Sequence, residues 1–467
     1  MAPVEVRPKP VLRSKYCKGC GRCIDACAQG LIERGTDIHP ASGLVPIALH
    51  PEACNGCGLC VDACPEPYGL VSASLAAELD ASEDRRRFPH PRLPAEEVPA
   101  ARAALPEGRP LVVKGTHAAA IGALLAGCRH FFGYPITPST EGAELMAKLL
   151  PSLGGVFLQA PSEVATVNMM YGCGGAGRPV MTFTSSPGFS LMLEGISYMI
   201  GAEVPGVFVD VMRAGPGLGN IGPEQADLKL ACRGLGHGNT HAVVLAPATP
   251  QEMLDFTMLA FELSFRYRNP VVLLADGHLG EMTGKVTLPA ELVRPGEPAW
   301  AVSGDAAHRR NLIASILLKE TDQEAHNLGL LEKYARMAEG EQRAELFRCE
   351  DAEVLVVACT TPARMAKGAV RALRDVGIAA GLFRPQTVWP FPIRSLLPLL
   401  GRARRVVVVE ASGGQLEDEL RLALSHAGAS TGVEIQHVRR MGGVLPSQGE
   451  IVEAIRGKRS SRKVVAA

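Results

Sequence analysis

A chain of 467 residues is too long for one hydrophobic core, and at roughly 150 residues per domain it points to about three. Its 47% hydrophobic and 21% charged residues describe a folded globular protein and exclude a disordered one. Lysine plus arginine equals aspartate plus glutamate at 48 each, so no global field recruits nucleic acid or an anionic membrane, and no apolar run reaches the ~18 residues of a membrane span.

Residues 1–75 are set apart by cysteine. Eight of the thirteen fall in two copies of one pattern, Cys17-x2-Cys20-x2-Cys23-x3-Cys27 and Cys54-x2-Cys57-x2-Cys60-x3-Cys64, the second followed by Pro65. Zinc or a disulfide framework are the competing readings, but three thiolates at x2 spacing suit one face of an iron-sulfur cubane better than a tetrahedral zinc knuckle. Two [4Fe-4S] clusters are therefore expected. In the two-cluster ferredoxin arrangement the fourth cysteine of each run crosses to the other cluster. This puts Cys17, Cys20, Cys23 and Cys64 on one cluster and Cys54, Cys57, Cys60 and Cys27 on the other. Such ligands favour a reducing compartment, and the N-terminal MAPVEVRPKP has no apolar signal segment, so a cytoplasmic location is expected. The other five cysteines read as buried small apolar residues. Too few apolar residues remain in this segment for an independent core, so the clusters themselves should serve as one.

Residues 76–110 read as a proline-rich linker, with Pro89, Pro91, Pro94, Pro99, Pro106 and Pro110 among charges of both signs. From 111 to 295 apolar strand-like runs (130–133, 156–159, 179–184, 206–212, 242–245 and 271–275) alternate with helix-like stretches (118–126, 141–150, from 162, 189–202 and 250–268). That alternation implies a parallel sheet covered on both faces. Residues 296–348 read as connecting helices. The alternation resumes over 349–467, with strands at 353–359, 377–383, 405–410 and 433–438 and helices at 362–376 and 415–427. The basic run 458–463 reads as a solvated end.

In open parallel sheets ligands bind beyond the carboxyl ends of the strands. Four loops there carry candidate chemistry. Gly133-Tyr134-Pro135-Ile136-Thr137-Pro138-Ser139-Thr140 is stiffened by two prolines, and its hydroxyls can cap the following helix. Gln159-Ala160-Pro161-Ser162-Glu163 places a carboxylate in a first helical turn, where the dipole favours it anyway. Thr184 to Gly188 is a third turn. Arg213-Ala214-Gly215-Pro216-Gly217-Leu218-Gly219 offers glycines and a cation, without the Gly-Lys-Ser/Thr of a P-loop.

In ordered combination, beside two iron-sulfur clusters, the runs GYPITPST, QAPSEVATVNMMYG, TSSPGFSLMLEGISYMIGAEVP, VDVMRAGPGLGNIGPEQADL, RNPVVLLADG, RPQTVWPFP and VVVVEASGGQLEDEL resemble the alpha-type subunit of the 2-oxoacid:ferredoxin oxidoreductases over about residues 110–455. The central run looks most like the branched-chain, 2-oxoisovalerate type. The resemblance implies a thiamine-diphosphate-binding, pyrimidine-type α/β domain followed by a transketolase C-terminal-like α/β domain. Here a 2[4Fe-4S] ferredoxin-like domain is fused in front of them. It also implies that Glu163 hydrogen-bonds the aminopyrimidine ring, that Arg213 grips the substrate carboxylate and that Thr137 contacts substrate or cofactor. Tyr134, Pro135 and Ile136 would line the same cofactor pocket. A helix cap or a salt bridge is the rival reading for each polar residue. Pro161 and Thr116-His117 depart from residues the family often carries near the pocket.

The family's Gly-Asp-Gly motif and following asparagine are missing. The nearest run is Ala275-Asp276-Gly277, with no asparagine until Asn311. The resemblance therefore implies a beta-type partner subunit that holds the diphosphate through Mg2+, together with a gamma-type subunit, coenzyme A as co-substrate and ferredoxin as electron acceptor. Pyruvate, 2-oxoglutarate or an aryl 2-oxoacid are alternative substrates. A non-catalytic electron-transfer adaptor is the alternative role.

Overall fold

The computed structural model describes residues 8–81, 97–304, 308, 311–429 and 434–457. The chain divides into two compact units, one made of Met1–Ala95 with Gly304–Leu312, the other of Glu96–Ser303 with Ile313–Ala467.

The smaller unit is built twice over. Each half has a single 3-10 turn (Ser14–Tyr16 and Pro51–Ala53), two glycines in the left-handed region (Gly19 and Gly21, Gly56 and Gly58) and a short helix (Arg22–Ala26 and Leu59–Asp62). Gly19 is obligatory, because a Cβ there would stand 2.2 Å from the Val45 carbonyl oxygen. Two antiparallel ribbons, Pro10–Leu12 with Leu70–Ser72 and Ile32–Arg34 with Ile47–Leu49, close the unit. Its buried core is Ile32, Ile47 and Leu70 with Cys17, Cys23 and Cys60. Even with Val71 and Ala76, which are also buried, so few aliphatic side chains cover too little surface to hold such a segment folded without further cross-links.

The larger unit contains both α/β sheets. In the first, the order is Thr387–Trp389, Val243–Leu245, Pro270–Asp276, Gly206–Ala214, Val180–Thr184, His130–Gly133, Val156–Gln159. All pairings are parallel except those of Thr387–Trp389 and of an eighth strand, Asn220–Pro223, which pairs with Gly206–Ala214. The three central strands are buried along nearly their whole length, as a sheet covered on both faces demands. Helix Gly115–Leu125 is alanine-rich so that it can lie close to helix Pro250–Tyr267. A Cβ on Gly122 would meet the Leu254 carbonyl oxygen at 2.5 Å. The second sheet runs Ala344–Phe347, Ala380–Pro385, Val354–Val357, Arg405–Glu410, Glu434–Arg439, with only the first strand antiparallel.

Three segments differ from expectation. Residues 82–96 of the expected linker lie outside the described residues, but Ala101–Ala104 and Leu111–Lys114 are strands paired with Glu291–Arg294 and Thr283–Val286. Prolines flank these pairs, so a proline-rich composition did not preclude pairing. Among the described residues of 296–348, only Glu320–Gly340 is helical, and 313–319 is irregular. The α/β segments expected as two domains form one unit, because Thr387–Trp389 completes the edge of the first sheet. Among the other cysteines, Cys128, Cys232, Cys349 and Cys359 are buried and Cys173 is half-buried.

Asp276 ties the two sheets together. Its Oδ1 accepts from the Leu279 N–H at 3.0 Å and the Thr361 hydroxyl at 2.7 Å, and its Oδ2 from the Thr361 N–H at 3.0 Å. The side chain is fully buried, so Asp276→Ala leaves three donors in apolar surroundings without an acceptor. The expected cost is about 2–4 kcal/mol, read as a melting transition several degrees lower in calorimetry. An unchanged transition would contradict this role.

Candidate active site and cluster sites

In the first sheet the chain order reverses between the strands His130–Gly133 and Val180–Thr184, which are neighbours although separated in sequence by Val156–Gln159. Beyond the carboxyl ends of this switch point, parallel strands leave a crevice where loops from several strands converge. All four loops singled out in the sequence emerge at this edge.

Glu163 opens helix Glu163–Gly175 and is 5% exposed. The cap of that helix is Ser162, whose side chain accepts from the Ala165 N–H at 3.2 Å, so Glu163 is not needed for capping. It has no hydrogen-bond or ion-pair partner among the described residues. Its carboxylate reaches the start of helix Ser186–Gly201, where Gly188 makes room. A Cβ at 188 would sit 2.6 Å from Glu163 Oε1 and 2.4 Å from Thr184 Oγ1. The hydroxyls of Thr184 and Ser185 are buried at the same strand end and lack partners. A buried orphan hydroxyl costs about 1–3 kcal/mol, and a cluster of them beside an unpaired acid is the usual mark of a ligand site.

Arg213 lies near the end of strand Gly206–Ala214 and is half-buried. Its Nη1 donates to the Thr137 carbonyl at 3.0 Å and its Nη2 to the Leu218 carbonyl at 3.1 Å, while Nε is unpartnered. The guanidinium thus bridges the 134–139 and 215–219 loops through neutral acceptors, and among the described residues no salt bridge claims its charge. Thr137, Tyr134 and Pro135 are exposed on the bridged loop, and Ile136 is half-buried. Both loops carry a cis X-Pro bond, Thr137-Pro138 and Gly215-Pro216. Ser139 does not cap the helix after it. It is buried, and its hydroxyl closes the loop on the Ile136 carbonyl at 2.7 Å. Thr116 likewise spends its hydroxyl on the Gly280 carbonyl, at 3.3 Å.

Sequence reasoning missed a second layer. Asp210, in the middle of the apolar run VFVDV, is fully buried beside Asp227, and no donor reaches either of its oxygens. Ser186 Oγ donates to Asp227 Oδ2 and accepts from the Arg213 N–H at 3.0 Å. The one available signal was a carboxylate inside a strand that is otherwise apolar.

Asp276 is committed to Leu279 and Thr361, so its carboxylate is not free to hold a metal.

In the smaller unit, Cys17, Cys20, Cys23 and Cys64 ring one cavity with Pro65 and Ile47. Among the described residues no three His, Cys, Asp or Glu side chains close on a single metal ion. Backbone N–H groups point at the sulfurs in both halves: Gly19 and Ile47 at Cys17, and Gly56 at Cys54, each at 3.4 Å, with Leu31 at Cys27 at 3.5 Å. Such donors stabilise sulfur-borne negative charge. Burial, then the facing Cys64, pushes the Cys23 thiol up to about 11, and the charges felt by Cys60 come from Cys27, Cys54 and Cys57. Cys23 and Cys60 thus each face their own run's first two cysteines and the other run's last.

A doubly wound sheet with an unpaired acid at its switch point, in one chain with eight cysteines in two quartets, defines an iron-sulfur oxidoreductase subunit. Residues 121–333 match the family described as pyruvate flavodoxin/ferredoxin oxidoreductase, thiamine diP-bdg. Residues 352–451 match pyruvate:ferredoxin oxidoreductase core domain II, and residues 16–67 match a 4Fe-4S dicluster domain. The chain is 47% identical over 347 residues to ketoisovalerate oxidoreductase subunit VorB of Methanothermobacter thermautotrophicus, covering 74% of this chain and 97% of the relative. It is 39% identical to 2-oxoglutarate synthase subunit KorA of Archaeoglobus fulgidus, over 66% and 90%. In fold it is similar to 2-oxoglutarate:ferredoxin oxidoreductase from Magnetococcus marinus, at a TM-score of 0.67 and 24% identity over 75% of this chain and 65% of that one. The chain belongs to the 2-oxoacid:ferredoxin oxidoreductase family, with a thiamine-diphosphate-binding domain and a 4Fe-4S dicluster domain in one polypeptide. Its relatives are subunits, so it works within a multi-subunit enzyme. No helix among the described residues is long and apolar enough to cross a membrane.

Proposed function

We propose that this subunit takes part in the oxidative decarboxylation of a branched-chain 2-oxoacid. One 2-oxoacid, one coenzyme A thiol and two oxidised ferredoxins give an acyl-CoA, carbon dioxide, two reduced ferredoxins and a proton. Bound thiamine diphosphate supplies the carbanion chemistry of decarboxylation. Glu163 holds or returns a proton at its aminopyrimidine ring, and Arg213 and Thr137 orient the 2-oxoacid. Cys17, Cys20, Cys23 and Cys64 hold one cluster and Cys54, Cys57, Cys60 and Cys27 the other, so that electrons leave singly.

The observation that carries the substrate class is charge. Across loops 134–139, 160–162, 185–188 and 213–219, Arg213 is the only cation. One arginine fork matches one carboxylate, which favours a monocarboxylic 2-oxoacid with an apolar tail over the dicarboxylate 2-oxoglutarate. The higher identity to the ketoisovalerate relative than to the 2-oxoglutarate one points the same way.

A beta-type partner would bring the metal that anchors the diphosphate, and a gamma-type subunit would complete the assembly. Leu218, Ile221, Met441 and Val444 are exposed beside the crevice, on segments joined by the Asn220 amide donating to the Gly442 carbonyl at 3.2 Å and the Gly442 N–H to Glu224 at 3.0 Å. An apolar rim of this kind suits a docked partner. Purification with its partner, followed by a panel of 2-oxoacids with coenzyme A and ferredoxin, tests the reading. We expect kcat/KM for 2-oxoisovalerate to exceed that for 2-oxoglutarate by at least about tenfold. The reverse order would overturn the substrate assignment.

A further inference from the structure

Asp210 is the one carboxyl in the central strand of the first sheet, fully buried between strands that are themselves buried. Its register neighbours are Thr184 and Leu274. If both members of the pair were ionised, neither Asp210 oxygen would have a donor, and two like charges would face each other out of water. The pair closes only when one carboxyl carries the proton. Burial holds both carboxyls above the usual carboxylate range, and the facing Asp227 raises Asp210 further. Asp227 already accepts from Ser186, whereas no donor reaches either Asp210 oxygen, so the proton that closes the pair belongs on Asp210.

From Asp227 the connection runs outward. Ser186, at the first turn of helix Ser186–Gly201, gives its proton to Asp227 and so must present a lone pair to the Arg213 N–H. The other ionisable groups nearby are Glu224, Asp276 and Glu163. Glu224 is held by the Gly442 N–H, Asp276 is at the end of the adjoining strand bonded to Thr361, and Glu163 lies beyond Thr184.

We propose that Asp210 and Asp227 are positioning residues for the substrate grip: a neutral Asp210 donates to an anionic Asp227, which fixes Ser186 and, through it, the backbone that aims Arg213. This rests on the reading of Arg213 as the contact for the 2-oxoacid carboxylate, and it gives the two aspartates unequal roles. Asparagine at 210 keeps a donor toward Asp227, so Asp210→Asn should raise KM for the 2-oxoacid by less than about threefold in the assembled enzyme. Asparagine at 227 removes the anion that two donors share, so Asp227→Asn should raise KM by about tenfold or more, with a smaller effect on kcat. An infrared difference spectrum gives a second readout that does not depend on turnover. A carboxylic-acid carbonyl band should be present in the wild type and lost in Asp210→Asn. Equal KM changes in the two variants, or no acid band assignable to Asp210, would overturn the proposal. If the wild-type complex oxidises no 2-oxoacid while the acid band is present, the functional reading has failed and the proton assignment has not.

Discussion

Replacing Glu163 by glutamine in the assembled enzyme is expected to lower 2-oxoacid oxidation by at least about a hundredfold while iron content stays unchanged. The substitution keeps size and shape in a position where Gly188 and Thr184 leave no slack. It also keeps a donor, so a purely structural role would survive it. What it removes is a group able to give up a proton and take it back. The position is suited to that work because the carboxyl is 5% exposed, has no cation beside it and is not the cap of its helix. If the chain were only an adaptor that docks clusters onto another enzyme, Glu163→Gln would turn over like the wild type.

The second large effect concerns which cysteines share a cluster. With Cys64 on the Cys17, Cys20 and Cys23 quartet, Cys64→Ala should bring iron from about eight to about four per chain and abolish magnetic coupling between the cubanes. Double substitutions make the pairing visible. Cys64→Ala combined with Cys20→Ala removes ligands from one cluster and should lose no more iron than either alone. Cys64→Ala combined with Cys57→Ala should lose nearly all of it. Were each run to hold its own cluster, the two pairs would exchange outcomes. The shared cavity and the facing of Cys23 by Cys64 favour the crossed pattern.

What could be read from the sequence was whatever is local. Cysteine spacing is fixed by cluster geometry over eleven residues, and fully buried strands such as Val180–Thr184 announce themselves as unbroken apolar runs. The four loops were legible because a strand-to-helix turn has its own punctuation. What could not be read depends on residues brought together across long separations. Asp276 sits in the run nearest to a metal motif the chain lacks, and nothing local announced that it is the acceptor for Thr361, eighty-five residues on. Ser139 looked like a cap and instead closes its own loop. Asp227 pairs with Asp210 only because the connection after the central strand folds back over helix Ser186–Gly201, and no periodicity reports that. Ala101–Ala104 is a strand because Glu291–Arg294 lies beside it, not because of its own composition.

The slender interior of the cysteine-rich unit bears on how long the protein lasts in a cell. With Ile32, Ile47, Leu70, Val71 and Ala76 as the aliphatic side chains buried beside its cysteines, the unit leans on iron and sulfide to stay folded. Loss of the clusters should therefore open this stretch to proteases, which limited proteolysis of the iron-free chain would read as cleavage confined to the cysteine-rich unit.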